Sequence, residues 1–139
     1  MRKIFVDANI LVSVLNKEYP LFSYSSRVLN LANHYRYKVF TSPLCLGIAF
    51  YFAEKKNRQT ARQKLGILVD HLSITTIDET VVWQAKNNMS IHDFEDGIEY
   101  YSALRSKCDC IITQDLGDFY FSEIPVMDAE LFISRYFSK

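Results

Sequence analysis

Short runs rich in β-branched and aromatic residues alternate along this chain with longer segments in which apolar residues recur at helical spacing. The short runs are candidate strands and the longer segments are candidate helices. The candidate strands are Lys3–Val6, Tyr37–Thr41, Ser73–Ile77, Cys110–Thr113 and Pro125–Met127. The candidate helices are Ala8–Leu15, Tyr24–Tyr35, Leu44–Lys56, Thr60–His71, Glu79–Asn88, Phe94–Lys107 and Ala129–Phe137. Because strands that alternate with helices of this length need crossover connections, the sequence predicts an α/β fold whose parallel sheet is covered on both faces.

The length and composition predict one domain spanning residues 1–139. A chain of 139 residues matches the usual size of a single domain, and 49% of its residues are hydrophobic, enough to bury one sizeable core. Only four glycines and three prolines occur, and no low-complexity stretch or linker interrupts the chain.

The first residues, MRKIFVDANILVSVL, have the basic start and apolar run of a signal peptide. Asp7 and Asn9 interrupt that run, however, and no small-residue cleavage site follows before Lys17. No uncharged apolar stretch is long enough to span a bilayer. We therefore expect a cytoplasmic protein that does not associate with membranes, with Cys45, Cys108 and Cys110 as reduced thiols.

The charges balance, with 16 basic against 16 acidic residues, so the chain as a whole does not attract polyanions. Any nucleic-acid binding must therefore use a local patch. Lys55, Arg58 and Arg62 recur at helical spacing and are candidates for contacts with an RNA backbone. A solvated helix face is the commoner explanation of such a pattern.

Acidic residues follow two of the predicted strands and open one helix. Asp7 follows the first strand, Asp115 follows the strand C-I-I-T, and Asp93, Glu95 and Asp96 begin the long helix that leads into that strand. Ligands of open α/β sheets bind beyond the carboxyl ends of the strands, so these acids are expected to converge there. Crowded carboxylates without basic neighbours favour Mg²⁺ or Mn²⁺, and metal-assisted phosphodiester cleavage is the chemistry that suits such a site.

Each of these acids also has a structural explanation. Asp7 could be only the N-cap of the following helix, and D-F-E-D resembles a capping box that begins at Asp93. Asp115 and Asp118, in T-Q-D-L-G-D-F, could simply build a turn. The metal-site interpretation rests on several acids reaching the same edge of the sheet together.

Four segments together resemble the PIN-domain ribonucleases, and especially the VapC-like toxins of bacterial toxin-antitoxin pairs. They are F-V-D-A-N-I-L, T-S-P-L, D-F-E-D-G-I-E-Y-Y-S-A-L and I-I-T-Q-D-L-G-D-F, and the resemblance covers nearly the whole chain. It implies a three-layer α/β/α sandwich with a five-stranded sheet in order 3-2-1-4-5. It also implies endonucleolytic cleavage of RNA with Mg²⁺ or Mn²⁺, and as partners an antitoxin and a second copy of the chain.

The resemblance also assigns roles to individual residues. Asp7, Asp96 and Asp115 match the family's catalytic metal-site acids, and Asp118 matches a further aspartate common in one variant of the last motif. The polar residues Asn9 and Thr113 match frequent supporting positions.

One position departs from the family pattern. A glutamate usually stands early in the helix after the second strand, near Gly47 and Ile48, and Glu54 lies about 10 Å too far along the axis to replace it. Either Glu95, Asp93 or Asp118 supplies the missing ligand, or the site binds one ion weakly, or activity has been lost.

Three hypotheses about function remain at this point. The leading one is a metal-dependent endoribonuclease that acts as a toxin. The second is a weak or inactive PIN module that binds RNA or protein. The third is a phospho-aspartate receiver or phosphatase, which could recruit Asp78 but lacks the second acid of a D-x-D motif, because Asn9 stands there.

Overall fold

A five-stranded parallel sheet forms the centre of the computed structural model, which describes residues 1–137. The strands are β1 (Arg2–Val6), β2 (Tyr37–Thr41), β3 (Ser73–Ile74), β4 (Cys110–Ile112) and β5 (Val126–Met127). They lie in the order β3-β2-β1-β4-β5, and every neighbouring pair is parallel. The predicted α/β class and strand order are thus confirmed.

Helices cover both faces of this sheet. They are α1 (Ala8–Leu15), α2 (Leu21–Asn30), α3 (Pro43–Lys56), α4 (Arg58–His71), α5 (Glu79–Asn87), α6 (Phe94–Arg105) and α7 (Ala129–Phe137), with short 3-10 helices at Leu31–Asn33 and Leu116–Phe119. The helices α1, α2, α3, α4 and α7 pack on one another, whereas α5 and α6 form a separate pair. The two groups are the outer layers of an α/β/α sandwich. Within residues 1–137, no helix combines the length and the apolar character needed to cross a bilayer.

The central position of β1 follows from its sequence. Ile4, Phe5 and Val6 have no exposed surface, as expected for a strand whose two faces are both covered by helices. Ile4 pairs with Val39 of β2 on one side and with Cys110 of β4 on the other. This register brings the carboxyl ends of β1, β2 and β4 to one edge of the sheet.

Helix α3 starts directly at that edge. Ser42 follows β2, and its hydroxyl accepts a hydrogen bond from the Cys45 backbone N–H at 2.9 Å, with Pro43 in the first helical turn. A serine cap followed by proline is a strong signal for a helix start. The cap fixes how the first turns of α3 face the end of β1.

Most element boundaries agree with the predicted ones within two residues, but two elements differ. The helix predicted at 24–35 begins three residues earlier, at Leu21 directly after Pro20, and changes at Leu31 into a 3-10 turn. Proline is well tolerated at the start of a helix, so α2 can begin beside it. The strand predicted at 73–77 ends at Ile74, because only Phe40 and Thr41 pair with it.

The three cysteines are buried free thiols, as predicted. Burial raises the pKa of Cys108 to about 12 and that of Cys110 to about 11. Both are therefore protonated at neutral pH and act as small apolar side chains of the core.

Candidate metal centre

Asp7 lies at the end of β1 and has only 7% of its surface exposed. Its backbone N–H continues the sheet by donating to the Ile112 carbonyl at 3.0 Å. One carboxylate oxygen accepts a hydrogen bond from the Ala8 N–H at 2.7 Å, and the other accepts from the Thr113 hydroxyl at 2.8 Å. Asp7 is therefore an N-cap of α1 and also one wall of a polar site.

A hydrogen-bond network links the end of β1 to the end of β4. The Asn9 side-chain amide donates to Thr113 Oγ1 at 3.0 Å and to Asp115 Oδ2 at 3.3 Å. The Asp115 backbone N–H in turn donates to Thr113 Oγ1 at 3.1 Å. Asn9 and Thr113 thus hold the carboxylates of Asp7 and Asp115 in fixed positions.

Asp96 reaches the same edge from the first turn of α6 and is 9% exposed. Burial, followed by the charges of Asp93 and Asp118, raises the pKa of Asp96 to about 7. Asp93 itself caps α6 by accepting a hydrogen bond from the Glu95 N–H at 2.9 Å, which agrees with its structural interpretation. Asp96 thus brings a buried carboxylate of α6 into the cavity that Asp7 lines.

Glu99 is a third buried acid, which the sequence did not single out. It is 2% exposed, and its Oε1 accepts a hydrogen bond from the Cys45 thiol at 2.7 Å. Ligand atoms of Asp7, Cys45 and Glu99 all lie within 4.8 Å of one another. Burial and then the charge of Asp7 raise the pKa of Glu99 to about 10, so Glu99 is neutral at pH 7.

A sequence signal for Glu99 was present. Glu99 lies three residues after Asp96, and residues at that separation share one face of a helix. A second acid behind Asp96 was therefore predictable from spacing. Its burial depends on Cys45, which α3 places opposite.

The face of α3 that borders the acids carries no carboxylate. Ile48 and Phe52 line both the acid-bearing cavity and an adjoining apolar groove on the same helix, whereas Gly47 lines the groove and not the cavity. Of the two positions considered for the missing glutamate, Ile48 is the one that faces the site. Glu54 lies outside this cavity and borders a different one with Lys55 and Arg58, which agrees with its exclusion as a substitute.

The acids surround a cavity of about 350 Å³, which we call the acid cavity. Its wall contains seven carboxylates and, among the described residues, no lysine, arginine or histidine. The carboxylates are Asp7, Glu18, Glu95, Asp96, Glu99, Asp115 and Asp118. Burial and the neighbouring charge of Asp115 raise the pKa of Asp118. Repulsion of this kind calls for a cation, and oxygen ligands of this type fit Mg²⁺ or Mn²⁺.

Other candidate residues lie at or beyond the rim of the cavity. Glu95 and Asp118 line it from exposed positions, whereas Asp93 remains outside as a cap. The basic candidates Lys55, Arg58 and Arg62 are exposed and do not line the acid cavity. Lys55 lies in the last turn of α3, and the other two belong to α4.

Asp78, the acid that a phospho-aspartate mechanism would recruit, lies away from the acid cavity. Its carboxylate caps α5 by accepting from the Val81 N–H at 3.2 Å, and it forms an ion pair with Arg105. The hydrogen bond from Arg105 holds the pKa of Asp78 below its usual range. This placement argues against the third hypothesis.

The fold and sequence have known relatives. Over 138 residues the chain is 24% identical to ribonuclease VapC1 of Aquifex aeolicus (strain VF5). The aligned region covers 96% of this chain and 95% of that protein. The structure resembles VapBC2 of Rickettsia felis bound to a promoter DNA fragment, with a TM-score of 0.69 and 18% identity over 91% of this chain and 97% of that one. It also resembles VapBC-1 of nontypeable Haemophilus influenzae, with a TM-score of 0.69 and 14% identity over 92% and 98% of the two chains.

The order of the strands, the acids at their carboxyl ends and these similarities agree with one family model. That model is the PIN domain, and it matches residues 3–117, from the first strand to the turn after Asp115. The chain belongs to the PIN-domain family.

Proposed function

We propose that this protein is an endoribonuclease that uses Mg²⁺ or Mn²⁺ bound by Asp7, Asp96 and Asp115, with Asp118 at the rim of the site. The observation that carries the proposal is the acid cavity, where seven carboxylates meet without a basic residue in its wall. RNA as the substrate is inferred from the family and from the relation to ribonuclease VapC1.

The chain's own groups prepare the site in three ways. The Ala8 N–H and the Thr113 hydroxyl fix both oxygens of Asp7, and Asn9 orients Asp115. Asp96 faces them from α6, and its raised pKa reflects the unfavourable crowding that a cation would relieve. A divalent ion, when bound here, would orient the scissile phosphate and make a water molecule a better nucleophile at neutral pH.

Glu99 supports this site without binding the ion in our proposal. Because Glu99 is neutral at pH 7, it can donate a hydrogen bond to Asp7 while it accepts one from Cys45. Glu99 would thereby hold the Asp7 carboxylate in position. The ligands then remain three aspartates, with no carboxylate contributed by α3.

Cleavage of a structured RNA in Mg²⁺, Mn²⁺ or EDTA tests the proposal. We expect Asp96→Asn and Asp115→Asn to reduce the rate on the order of 100-fold or more, the usual cost of losing a group that stabilises transition-state charge. Asp93→Asn is the matched control, because asparagine caps a helix as well as aspartate does and Asp93 lies outside the cavity. Cutting that persists in EDTA and in Asp115→Asn would refute the metal mechanism.

We further propose that the protein is the toxin of a toxin-antitoxin pair, forms a homodimer and acts in the cytoplasm. The structural likeness to VapBC2 and VapBC-1 supports this, as does an exposed apolar strip on α3 where Tyr51 and Phe52 are 56% and 44% exposed. Expression of the chain alone in a bacterial host should arrest growth, and co-expression of the proposed antitoxin should relieve the arrest. Unimpaired growth together with a monomer in light scattering would contradict the proposal.

A weakly active or inactive PIN module is the second candidate. The specific observation in its favour is Ile48, which presents an apolar side chain to the acid cavity where relatives usually have a glutamate. Calorimetric titration with Mn²⁺ separates the two candidates. An active enzyme should bind the ion, and Asp96→Asn should weaken that binding, whereas an inactive module should give no heat in either protein.

A further inference from the structure

A second polar cavity of about 230 Å³ lies where the end of α1 meets the junction of α3 and α4. Three lysines contribute to its wall, one after α1, one at the end of α3 and one in α4. We call it the lysine pocket, and its polar wall consists of Asn16, Lys17, Lys56, Asn57, Thr60 and Lys64. Lys17 is far in sequence from Lys56 and Lys64, and the fold brings the three side chains to one pocket.

Two of the three lysines donate to backbone carbonyls at the end of α1. Lys56 Nζ donates to the Asn16 carbonyl, and Lys64 Nζ donates to the Leu15 carbonyl at 3.4 Å. Across residues 1–137, no carboxylate oxygen lies within 4.0 Å of Lys17, Lys56 or Lys64. Each ammonium group has three N–H donors, so Lys56 and Lys64 retain donors for a further acceptor.

Thr60 lines the pocket, but its hydroxyl group does not reach it. The hydroxyl oxygen has almost no exposed surface, so a group in the pocket cannot bond to it. The amides of Gln59 and Thr60 are already occupied by the Asn57 side chain, at 3.1 and 3.3 Å. The charged donors that line the pocket are therefore the three lysines.

The lysine pocket is continuous with the surface around the acid cavity. Glu18 and Phe52 line the acid cavity, while their chain neighbours Lys17 and Ala53 line the lysine pocket. The Asn16 side-chain amide also donates to the Phe52 carbonyl at 3.3 Å and so joins the two walls. Helix α1 has eight residues, so the two ends of this path are about 12 Å apart along its axis.

We propose that the lysine pocket binds a backbone phosphate of the same RNA strand whose scissile phosphate enters the acid cavity. This inference rests on the proposed function and names the binding contact that such an enzyme needs. The net charge of the chain is zero and the acid cavity repels phosphate, so RNA must be held by a local basic site. The lysine pocket supplies this positive charge through Lys17, Lys56 and Lys64.

The test uses a mixed-sequence single-stranded RNA of about 20 nucleotides and measures its binding by fluorescence anisotropy in EDTA at several salt concentrations. Lys56→Gln combined with Lys64→Gln should weaken binding about tenfold and make the slope of log affinity against log salt shallower by roughly 0.7, the value for one lost phosphate contact with a single strand. Lys86→Gln combined with Lys107→Gln changes net charge equally and should leave both quantities unchanged.

Three further measurements separate binding from structure. Lys56→Arg combined with Lys64→Arg should restore both the binding and its salt slope. In cleavage assays the glutamine pair should raise KM and leave kcat within about twofold, because uniform binding affects KM alone. Melting temperatures of all variants check that the fold is intact.

The outcomes distinguish this inference from the proposed function. If the parent cleaves RNA but the glutamine pair keeps its affinity and salt slope, the lysine pocket does not bind phosphate, although the enzyme assignment stands. If no protein cleaves RNA but the glutamine pair still loses affinity and slope, the pocket binds RNA and the nuclease proposal fails.

Discussion

Glu99 is a buried acid without a nearby basic residue, and the pocket around it favours its neutral form. Burial and the charge of Asp7 raise the pKa of Glu99 to about 10, far above that of a glutamate in an unfolded chain. The Cys45 thiol is protonated as well, because burial raises its pKa well above the usual range. The two side chains therefore form a neutral hydrogen-bonded pair behind a charged aspartate.

This pair predicts how stability depends on pH when no metal is bound. An acid whose pKa is higher in the folded protein binds more protons when folded, so the free energy of unfolding falls as pH rises between the two pKa values. The melting temperature of the parent in EDTA should therefore decrease from about pH 5 to about pH 9. The raised pKa of Asp96, about 7, acts in the same direction over the lower part of this range.

The isosteric substitution Glu99→Gln should make that decrease smaller and raise the melting temperature at pH 9 by several degrees. It should also retain cleavage within a few-fold, because glutamine can still donate to Asp7 and accept from Cys45. Asp109→Asn, at an exposed acid outside the acid cavity, is the control for a general loss of negative charge. A large loss of cleavage in Glu99→Gln would mean that Glu99 is an ionised ligand and replaces the missing acid.

At the level of elements, α3 decides how complete the site is. Its cap at Ser42 sets the rotation of the helix, and that rotation points Cys45, Ile48 and Phe52 toward the acids. Gly47 points elsewhere, and a Cβ added to it would meet no atom within 4 Å. The two neighbouring positions thus form a matched pair for adding a carboxylate.

Ile48→Glu should strengthen Mn²⁺ binding and increase Mg²⁺-dependent cleavage, because it adds a carboxylate to the wall of the acid cavity. Gly47→Glu should leave both unchanged and stabilise the protein by about 0.5–1 kcal/mol, the gain from replacing glycine in a helix interior. Calorimetry, RNA cleavage and thermal melting measure these effects. Equal activation by both substitutions, or activation by Gly47→Glu alone, would show that our assignment of the helix face is wrong.

The same helix shows what sequence patterns can and cannot predict. Strand ends are easy to place, because K-I-F-V and C-I-I-T are short apolar runs that stop at polar residues, and this located Asp7, Thr113 and Asp115 correctly. The segment L-C-L-G-I-A-F-Y-F is apolar on all sides, so its periodicity does not indicate which residue faces the site. The choice between Gly47 and Ile48 needed the three-dimensional structure.

Contacts between distant segments could not be predicted from the sequence, because periodicity within one helix does not show how helices pack. Glu99 is buried only because α3 brings Cys45 against it, and the lysine pocket combines residues from three separate elements. The basic residues chosen from helical spacing, Lys55, Arg58 and Arg62, remain a prediction. Local spacing identifies neighbours on one helix, whereas a binding site between helices depends on how they pack.

At the scale of the whole molecule, metal binding should raise the melting temperature of the protein. An ion that binds only the folded protein adds about 2.7 kcal/mol at a concentration 100 times its Kd, which corresponds to a rise in melting temperature on the order of 10 °C for a chain of this size. We expect Mn²⁺ to produce such a rise in the parent and in Asp93→Asn. Asp115→Asn should show little of it, and an equal rise in all three proteins would place the ion outside the acid cavity.

The proposed ligands also determine when during synthesis the protein becomes active. Asp7 joins its partner Thr113 across 106 residues, and the chain between them contains β2, β3 and α6. A single domain folds as a unit, so Asp7 meets Thr113 and Asp115 only after most of the sequence has left the ribosome. A nuclease built in this order would not cut RNA beside the ribosome that makes it. Chains truncated after Asp109 should accordingly bind no Mn²⁺ in calorimetry and cleave no RNA.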